Sequence, residues 1–397
     1  MRVVVCGAGI AGLTLANRIA AFGGDVVLLE RSPRPREQGY MIDFFGPGYR
    51  AVEAMGLLPA VERISYEFEE ASLLDRHGRR RAGAHPKQFT SGDFLNVMRP
   101  DLESVLWESL PATVETRFGT SPVAVREEDG GVRVAVEDGT EIGADLLVGA
   151  DGIHSTVRRL VFGAESRFLR HLGLHTTAFL LDSPEVRDRL GERFCLTDTL
   201  GRQLGLYALR DGRVAVFGVH RARNSGLPED PRTAVRRVYA GLGWVVPEVL
   251  RQCPPSEEIY YDQVAQSLVP SWSNGRVVLL GDACYAVSLL AGQGASLASG
   301  GAYLLAERLA KESEPERALV EYERLWRPVV EEKQRAGRAG ADWFLPESSW
   351  ALWLRRTVLG MTRFSAVNRR VGEFLLGRRP AARAEGREAP ELADLLE

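Results

Sequence analysis

Long apolar runs and an excess of charge are both missing from this chain of 397 residues. No run reaches the roughly eighteen apolar residues that a membrane-spanning helix needs. The first residues lead at once into an apolar strand pattern, which leaves no room for a signal peptide, so we expect a cytoplasmic protein. Basic and acidic residues nearly balance, 50 against 53, and give a net charge of -3. This balance predicts no general attraction to nucleic acid.

Cysteine is also scarce, and the four that are present form no motif. Cys6, Cys195, Cys253 and Cys284 are scattered without the C-x-x-C spacing of a zinc or redox site. We therefore expect neither a disulfide framework nor a metal centre, and we expect the thiols to be reduced. Internal repeats and low-complexity tracts are absent as well. An apolar content of 45% suffices for a large core and more than one structural unit.

Glycine occurs in two informative places, the first of them at residues 7–12. The sequence there, GAGIAG, follows an apolar run and precedes a helical pattern over residues 10–22, so the glycines fall at a strand-to-helix turn. Gly7 would allow the tight bend, Gly9 would let backbone N–H groups approach a pyrophosphate, and Gly12 would permit close packing of helix on strand. The turn is therefore predicted to bind dinucleotide phosphates at the positive end of the helix.

An acidic residue ends the next predicted strand. The apolar run at 26–29 stops at Glu30, whose carboxylate is placed to accept hydrogen bonds from the ribose hydroxyls of an adenosine. Its negative charge disfavours the 2'-phosphate of NADPH, whereas the adjacent Arg31 would favour it. The first motif alone thus predicts a dinucleotide fold and leaves FAD and NAD(P) both open.

A second glycine motif separates the two cofactors. Residues 276–280 have the pattern of a buried strand, and Asp282 follows at its carboxyl end, where open parallel sheets bind ligands. Asp282 is therefore a candidate ligand of a polyol chain. Gly292 and Gly294 would allow a helix over 296–309 to begin against a flat ring, and its positive end would stabilise a reduced, anionic flavin. Together the two motifs indicate one bound flavin.

These motifs resemble those of the class A flavoprotein aromatic hydroxylases, which have the p-hydroxybenzoate hydroxylase fold. Within that family the chain resembles bacterial monooxygenases that act on polyketides, including the tetracycline-inactivating enzymes. Residues 149–158, GADGIHSTVR, are similar to the family's middle signature, which supports both flavin and reduced-nicotinamide binding. Three matching motifs in the right order make the resemblance specific, and it covers the chain up to about residue 345.

The resemblance implies further cofactor contacts. Arg99 occupies the family's position for a flavin-contacting arginine, Asp43 falls where the tetracycline-inactivating branch has another flavin contact, and Arg36 is placed near the incoming nicotinamide cofactor. The chain departs from the family at Tyr285, where histidine is usual, and at 288–289, where a proline usually lies beside the flavin. The predicted FAD-binding set is Gly7, Gly9, Ala11, Gly12, Glu30, Arg31, Asp43, Arg99, Asp282, Gly292, Gly294 and Ala295.

The resemblance implies an FAD-dependent monooxygenase. NADPH or NADH would reduce the flavin, and a flavin C4a-hydroperoxide formed with O2 would hydroxylate a small aromatic or polyketide-like substrate in natural-product biosynthesis or inactivation. The protein would place the reactants and exclude water, without a catalytic side chain of its own. The sequence contains no second dinucleotide-binding unit and no Trp-x-Trp-x-Ile-Pro signature, which argues against two-domain Baeyer–Villiger enzymes and flavin halogenases. A Baeyer–Villiger outcome on this scaffold, a flavin dehydrogenase and a flavin-fold binding protein remain alternatives.

The predicted fold class is α/β, with a Rossmann-like FAD-binding domain of the GR2 type interleaved with a β-sheet-rich substrate domain, followed by C-terminal helices. The FAD-binding domain is assigned to 1–70, 95–165 and 265–325, the substrate domain to 71–94 and 166–264, and the C-terminal helical region to 326–397. Alternation over 172–181 and a hairpin turn at 210–213 indicate the substrate sheet. A shift of one residue in register would reverse its faces. His175, Tyr207 and His220 are the candidate pocket residues with polar groups.

A basic amphipathic segment lies near the C-terminus. Trp350, Trp353 and further apolar residues up to position 374 recur at helical spacing. The other face is basic, with seven arginines and one acid between residues 350 and 380. We expect this helix to cover the substrate domain, with binding to an anionic membrane or a partner protein as the alternative. The tail at 381–397 is predicted to fray, and the protein to be a monomer or homodimer.

Overall fold

The computed structural model describes residues 1–35, 39–84, 93–288 and 292–360, so the predictions for Arg36, Leu289 and the segment after 360 fall outside it. The strands are β1 (Arg2–Cys6), β2 (Asp25–Glu30), β3 (Met41–Phe45), β4 (Glu70–Leu74), β5 (Arg80–Ala84), β6 (Phe94–Met98), β7 (Glu115–Phe118), β8 (Pro122–Glu128), β9 (Gly131–Val136), β10 (Glu141–Ala144), β11 (Leu146–Gly149), β12 (Leu169–Leu181), β13 (Arg193–Thr199), β14 (Arg202–Ala208), β15 (Val214–Arg221), β16 (Tyr260–Ser267), β17 (Ser273–Asn274) and β18 (Val277–Leu279). The helices are α1 (Ile10–Ala21), α2 (Pro47–Ala54), α3 (Leu58–Ile64), α4 (Arg99–Glu108), α5 (Thr156–Val161), α6 (Pro184–Leu190), α7 (Pro231–Tyr239), α8 (Val246–Arg251), α9 (Asp282–Tyr285), α10 (Gly294–Lys311), α11 (Pro315–Phe344) and α12 (Ser349–Gly360). This mixed α/β architecture confirms the predicted fold class.

A six-stranded sheet of order β17-β18-β11-β1-β2-β7 forms the first layer. All its strands except β17 run parallel. β1 and β2 are almost fully buried runs of valine and leucine, as strands covered on both faces require. α1 packs against α10, so the two glycine motifs meet in space. The predicted strand, turn, helix and strand at the N-terminus are confirmed.

A seven-stranded sheet of order β16-β12-β15-β14-β13-β4-β5 forms the second layer. Its strands come from residues 70–84 and 169–267, within or next to the ranges proposed for the substrate domain. β12 contains the predicted strand at 172–181, and β14 with β15 forms the predicted hairpin. The boundary proposed at residue 326, between the FAD-binding domain and the C-terminal helical region, falls inside α11. This helix continues through Pro328 without a break.

The two faces of this second sheet carry different residues. Ala178 of β12 lies between Phe217 and Tyr260 on its neighbouring strands, so these three side chains share one face. His175 lies opposite His220 and, being three residues before Ala178, belongs to the other face. The register therefore separates the aromatic side chains from the histidines.

α12 lies over the aromatic face of the sheet, and it packs there through an arginine and not through its tryptophans. Arg355 is only 5% exposed, and it donates hydrogen bonds to Asp198 Oδ2 at 3.0 Å and Gln203 Oε1 at 2.6 Å. Trp350 and Trp353 are 68% and 61% exposed. The described part of the helix does cover the substrate sheet, but its tryptophans do not mark the packed face. The buried side chains of α12 are Leu352, which is 8% exposed, and Arg355, which is held by two buried polar acceptors of the sheet.

We expect Arg355→Ala to release α12 from the sheet. The change leaves the buried Gln203 amide without its donor and Asp198 with Arg356 alone, and breaking a buried ion pair costs about 3 kcal/mol. Limited proteolysis and hydrogen exchange should show the opening of α12. Trp353→Ala is the matched control, because its exposed side chain contributes little to docking. Equal protection of α12 in Arg355→Ala and the wild type would contradict the anchoring role.

None of the helices in the described ranges combines the length and the apolar character needed to span a bilayer. All four cysteines are buried and unpaired, and Cys284 has no exposed surface.

Candidate flavin-binding site

The glycines of the first loop differ in what surrounds them. Gly7 has φ +102°, and a Cβ there would lie 2.4 Å from the Ala150 carbonyl oxygen. A Cβ on Gly12 would lie 1.9 Å from the Gly7 carbonyl oxygen. A Cβ on Gly9 would approach nothing closer than Glu103 Oε1 at 3.7 Å. The fold itself therefore requires Gly7 and Gly12, whereas Gly9 faces a space that a ligand can enter.

Two helices begin at this space without a side-chain cap. α1 starts after Gly9, which has no side chain, and α10 starts after Gln293, whose side chain does not cap the helix. An uncapped helix start leaves backbone N–H donors free and carries partial positive charge. Cβ atoms at Ala11 and Gly281 would be only 2.9 Å apart, so the first turn of α1 abuts the second motif. The cleft thus has the donors that an anionic, pyrophosphate-bearing group requires.

Asp282 and Arg99 lie at the same cleft. Asp282 is exposed, and its carboxylate has no hydrogen-bond partner among the described residues. The surrounding protein raises the pKa of Asp282 by desolvation, while Arg99 acts in the opposite direction. Arg99 begins α4, pairs with Glu103 at 3.1 Å, and lies 3.9 Å from the position of a Cβ on Gly9. The carboxylate of Asp282 is therefore free to accept hydrogen bonds from the hydroxyls of a ligand.

Three further predicted residues occupy different places around the loop. Glu30 is nearly buried, and its two carboxylate oxygens accept hydrogen bonds from the backbone N–H groups of Ala8 at 2.9 Å and Ser32 at 2.8 Å. Arg31 is exposed at the end of β2. Asp43 Oδ2 lies 3.4 Å from the position of a Cβ on Gly292, and desolvation raises the pKa of Asp43 to about 6. A ribose contact by Glu30 stays a prediction.

The middle signature is tied to the second motif through a buried arginine. Arg158 has no exposed surface and donates a hydrogen bond to the Ala283 carbonyl at 2.7 Å. His154 of the same signature bridges two carboxylates, Asp262 at 3.2 Å and Glu165 at 3.1 Å. The hydrogen bond with Asp262 is the main reason why the pKa of His154 rises to about 9. The sequence motif included His154, but no signal indicated its partner Asp262.

We expect His154→Gln to destabilise the protein more at pH 6 than above pH 9. The folded pKa of His154 exceeds the usual 6.5, so the ion pairs stabilise the fold fully below pH 6.5, and this contribution disappears as the pH rises through about 9. Thermal unfolding at both pH values measures the difference. His77→Gln, at an exposed histidine, is the control. An equal loss of stability at both pH values would mean that His154 is uncharged in the fold.

An aromatic cluster lies beside Arg99. The ring of Tyr40 is 5.4 Å from that of Phe217 and 5.9 Å from that of Tyr260, and the Tyr40 carbonyl accepts a hydrogen bond from the backbone N–H of Arg99. The aromatic face of the seven-stranded sheet is therefore the one turned toward the cleft. None of these three residues belongs to a recognisable motif, because sheet register and not local sequence brings them together.

Two of the three candidate pocket residues need correction. His175 and His220 lie on the opposite face of the sheet, where Tyr239 of α7 approaches His220 Nδ1 at 3.1 Å and Tyr261 approaches its Nε2 at 3.0 Å. Tyr207 is on the aromatic face, but it is 1% exposed, and its hydroxyl accepts a hydrogen bond from the Met41 N–H at 2.7 Å. These side chains serve the packing of the sheet. The prediction that His175 and His220 line the substrate pocket is wrong, whereas a place for Tyr207 there stays a prediction.

The fold and the cleft define a class, the FAD-binding oxidoreductases with the fold of the class A hydroxylases. Residues 1–336 match the family described as FAD binding domain, and the chain belongs to that family.

Individual relatives extend this result. An uncharacterised protein of Mycobacterium tuberculosis is 34% identical over 316 residues, which cover 77% of this chain and 84% of that protein. A flavin-dependent monooxygenase from an unknown prokaryotic organism is 28% identical over 354 residues, covering 87% of this chain and 90% of its own. The crystal structure of the tetracycline destructase Tet(51) superposes with a TM-score of 0.79 at 27% identity, covering 93% of this chain and 97% of that one.

Proposed function

We propose that this protein is an FAD-dependent monooxygenase that uses NADPH or NADH and O2 to hydroxylate a small aromatic or polyketide-like molecule. The observation that carries the proposal is the free carboxylate of Asp282 in a cleft between two uncapped helix starts. That arrangement suits a ligand with a polyol chain, a pyrophosphate and a flat ring. Relatives that are named flavin-dependent monooxygenases support the same conclusion.

The residues of the chain would bind and orient the cofactor. The N–H groups after Gly9 would hold the pyrophosphate, Asp282 would accept hydrogen bonds from the polyol hydroxyls, and Arg99 would lie beside the flavin. The donors at the start of α10 would face the pyrimidine edge of the ring. The bound flavin would supply the redox chemistry and the activation of O2. We propose Asp43, which lies beside Gly292, as a further contact with the cofactor.

The aromatic face of the seven-stranded sheet supports an aromatic substrate. Tyr40, Phe217 and Tyr260 form an aromatic wall next to Arg99, and offset or edge-to-face contacts with a planar ring would orient that ring. α12 covers the same face of the sheet and would keep water away from the reacting atoms. The solved structure of Tet(51) is named a tetracycline destructase, so tetracycline is the molecule named for that protein. We propose a substrate of similar aromatic character here.

The visible spectrum of the purified protein is the first test. A flavin spectrum that bleaches under anaerobic NADPH or NADH and returns with air would support a flavin oxidoreductase, and comparing the two reductants would identify the preferred one. A colourless protein that cannot be reconstituted with FAD would contradict the assignment of the cleft.

Labelled oxygen tests the transfer step. A panel of phenols and aromatic polyketides is incubated with the reduced enzyme and 18O2, and one labelled atom in a hydroxylated product is the expected result. Label within a ring-expanded lactone would indicate the Baeyer–Villiger outcome. Oxidised substrate without label would indicate a dehydrogenase and would overturn the monooxygenase proposal.

A further inference from the structure

A second cavity, of about 350 Å³, lies between α11 and the end of β16. None of the residues assigned to the flavin lines it. Four arginines contribute to its wall, and Glu331 is the only acid among the lining residues. The four are Arg170, Arg327, Arg335 and Arg338. The lining therefore carries a net positive charge, although the chain as a whole carries a net charge of -3.

Three of these arginines are poorly neutralised by the protein. Arg170 and Arg338 have no carboxylate within ion-pair distance in the described ranges, and Arg338 makes one hydrogen bond, to Gln266 Oε1 at 2.9 Å. Among the residues that the structure describes, Glu331 is the one carboxylate near Arg335, at 3.7 Å. Desolvation, followed by repulsion from Arg170 and Arg335, lowers the pKa of Arg338. Like charges held together in this way favour the binding of an anion.

The fourth arginine, Arg327, is neutralised by the protein, and the other three still outnumber Glu331. Arg327 stacks 4.9 Å above the ring of Trp272 and donates to the Pro270 carbonyl at 2.8 Å. It pairs with Glu323 and also lies 3.9 Å from Glu331, which Arg335 approaches as well, so Arg327 is the neutralised member of the four. The fully buried Arg158 donates to Ser267 Oγ at 3.2 Å, but it pairs with Glu165 at 3.4 Å and does not belong to the lining, so it adds little to the charge of the cavity.

We propose that this cavity binds the phosphoryl group of a small organic phosphate. Guanidinium groups offer forked donors that match the oxygens of a phosphate, and several of them together suit a dianion. The volume lies at the small end of the range of about 300 to 1,000 Å³ that is typical of small-molecule pockets, so it can hold more than a bare ion. The phosphoryl group can belong to a free phosphoester or to a nicotinamide dinucleotide.

The cavity wall is linked to the second flavin motif. Gln266 accepts from Arg338 and donates to the Val287 carbonyl at 2.9 Å. Gln334 of α11 donates to the Ala286 carbonyl at 3.2 Å. A ligand that draws Arg338 toward itself would therefore act on the segment that follows Asp282. This gives the phosphoryl site a physical connection to the flavin cleft.

Calorimetric titration of the FAD-loaded protein with inorganic pyrophosphate at low salt tests the proposal. We expect saturable, one-to-one binding that is weakened about tenfold in Arg338→Gln and in Arg335→Gln. Arg335 is 63% exposed, so its replacement leaves the fold intact even where that of Arg338 does not. Arg324→Gln is the matched control, because Arg324 lies on the same helix, is 64% exposed and pairs with Glu321 outside the cavity.

Competition identifies the source of the phosphoryl group. If NADP+ displaces pyrophosphate and NAD+ does not, the site binds the 2'-phosphate of the dinucleotide. If neither dinucleotide competes but glucose 6-phosphate does, the ligand is a free phosphoester. Absence of saturable binding, or equal affinity in the wild type and Arg335→Gln, would overturn the proposal. No turnover is measured, so the result is independent of the proposed monooxygenase activity.

Discussion

Gly12→Ala should leave little folded protein. The new methyl group would lie 1.9 Å from the Gly7 carbonyl oxygen and 3.3 Å from Val5 Cγ1. The backbone at Gly7 cannot move aside, because its N–H donates to the Leu29 carbonyl at 2.7 Å and fixes the turn against β2. Overpacking of this kind costs about 3 kcal/mol, a large part of a domain's total stability. The yield of soluble protein and the midpoint of chemical denaturation measure the effect.

Gly9→Ala should behave in the opposite way. The nearest protein atoms to the new methyl group would be Glu103 Oε1 at 3.7 Å and Arg99 Nη2 at 3.9 Å, which are ordinary contacts. We therefore expect a folded protein that has lost most of its FAD, since the methyl group points into the space proposed for the pyrophosphate. Gly143→Ala, where no atom lies within 4 Å, controls for the exchange of glycine itself. Full FAD retention in Gly9→Ala would remove Gly9 from the phosphate site.

The elements near the glycine motifs were predictable because local rules determine them. The apolar run before Gly7, the helical pattern after it and the acid at Glu30 lie next to one another in sequence, and the structure places β1, α1 and β2 there. The same holds for Asp282, which follows a buried strand. Steric requirements at Gly7 and Gly12 are properties of a single turn, so sequence spacing is enough to reveal them.

The residues that face the substrate could not be predicted from the sequence, and the cause is physical. Whether a side chain of β12 or β15 faces the cleft depends on strand register, and a shift of one residue exchanges the faces. His175 and His220 have suitable chemistry but lie on the α7 side, whereas Phe217 carries no motif and lies on the cleft side. α12 shows the same limit. Its hydrophobic pattern identified an apolar face, but the buried acceptor Asp198, distant in sequence, decides which residues pack.

The carboxylate of Asp282 makes the cofactor assignment testable with a single substitution. Hydrogen bonds to a charged group contribute about 2 kcal/mol each, so Asp282→Ala should weaken FAD binding roughly 30-fold. Fluorescence titration of the apoprotein with FAD measures this change. We expect the stability of the fold to be unchanged, because this carboxylate has no hydrogen-bond partner among the described residues. Desolvation also disfavours its charged form and raises its pKa.

Asp282→Asn distinguishes the role of charge from that of shape. The amide keeps an acceptor oxygen for a polyol hydroxyl but loses the negative charge that faces Arg99, so its FAD affinity should lie between those of the wild type and Asp282→Ala. The melting temperature of all three apoproteins should be similar. If FAD affinity and apoprotein stability fell together, Asp282 would support the fold and not the cofactor. If neither changed, a different residue of the cleft would have to bind the polyol chain, and Asp282 would have no role in cofactor binding.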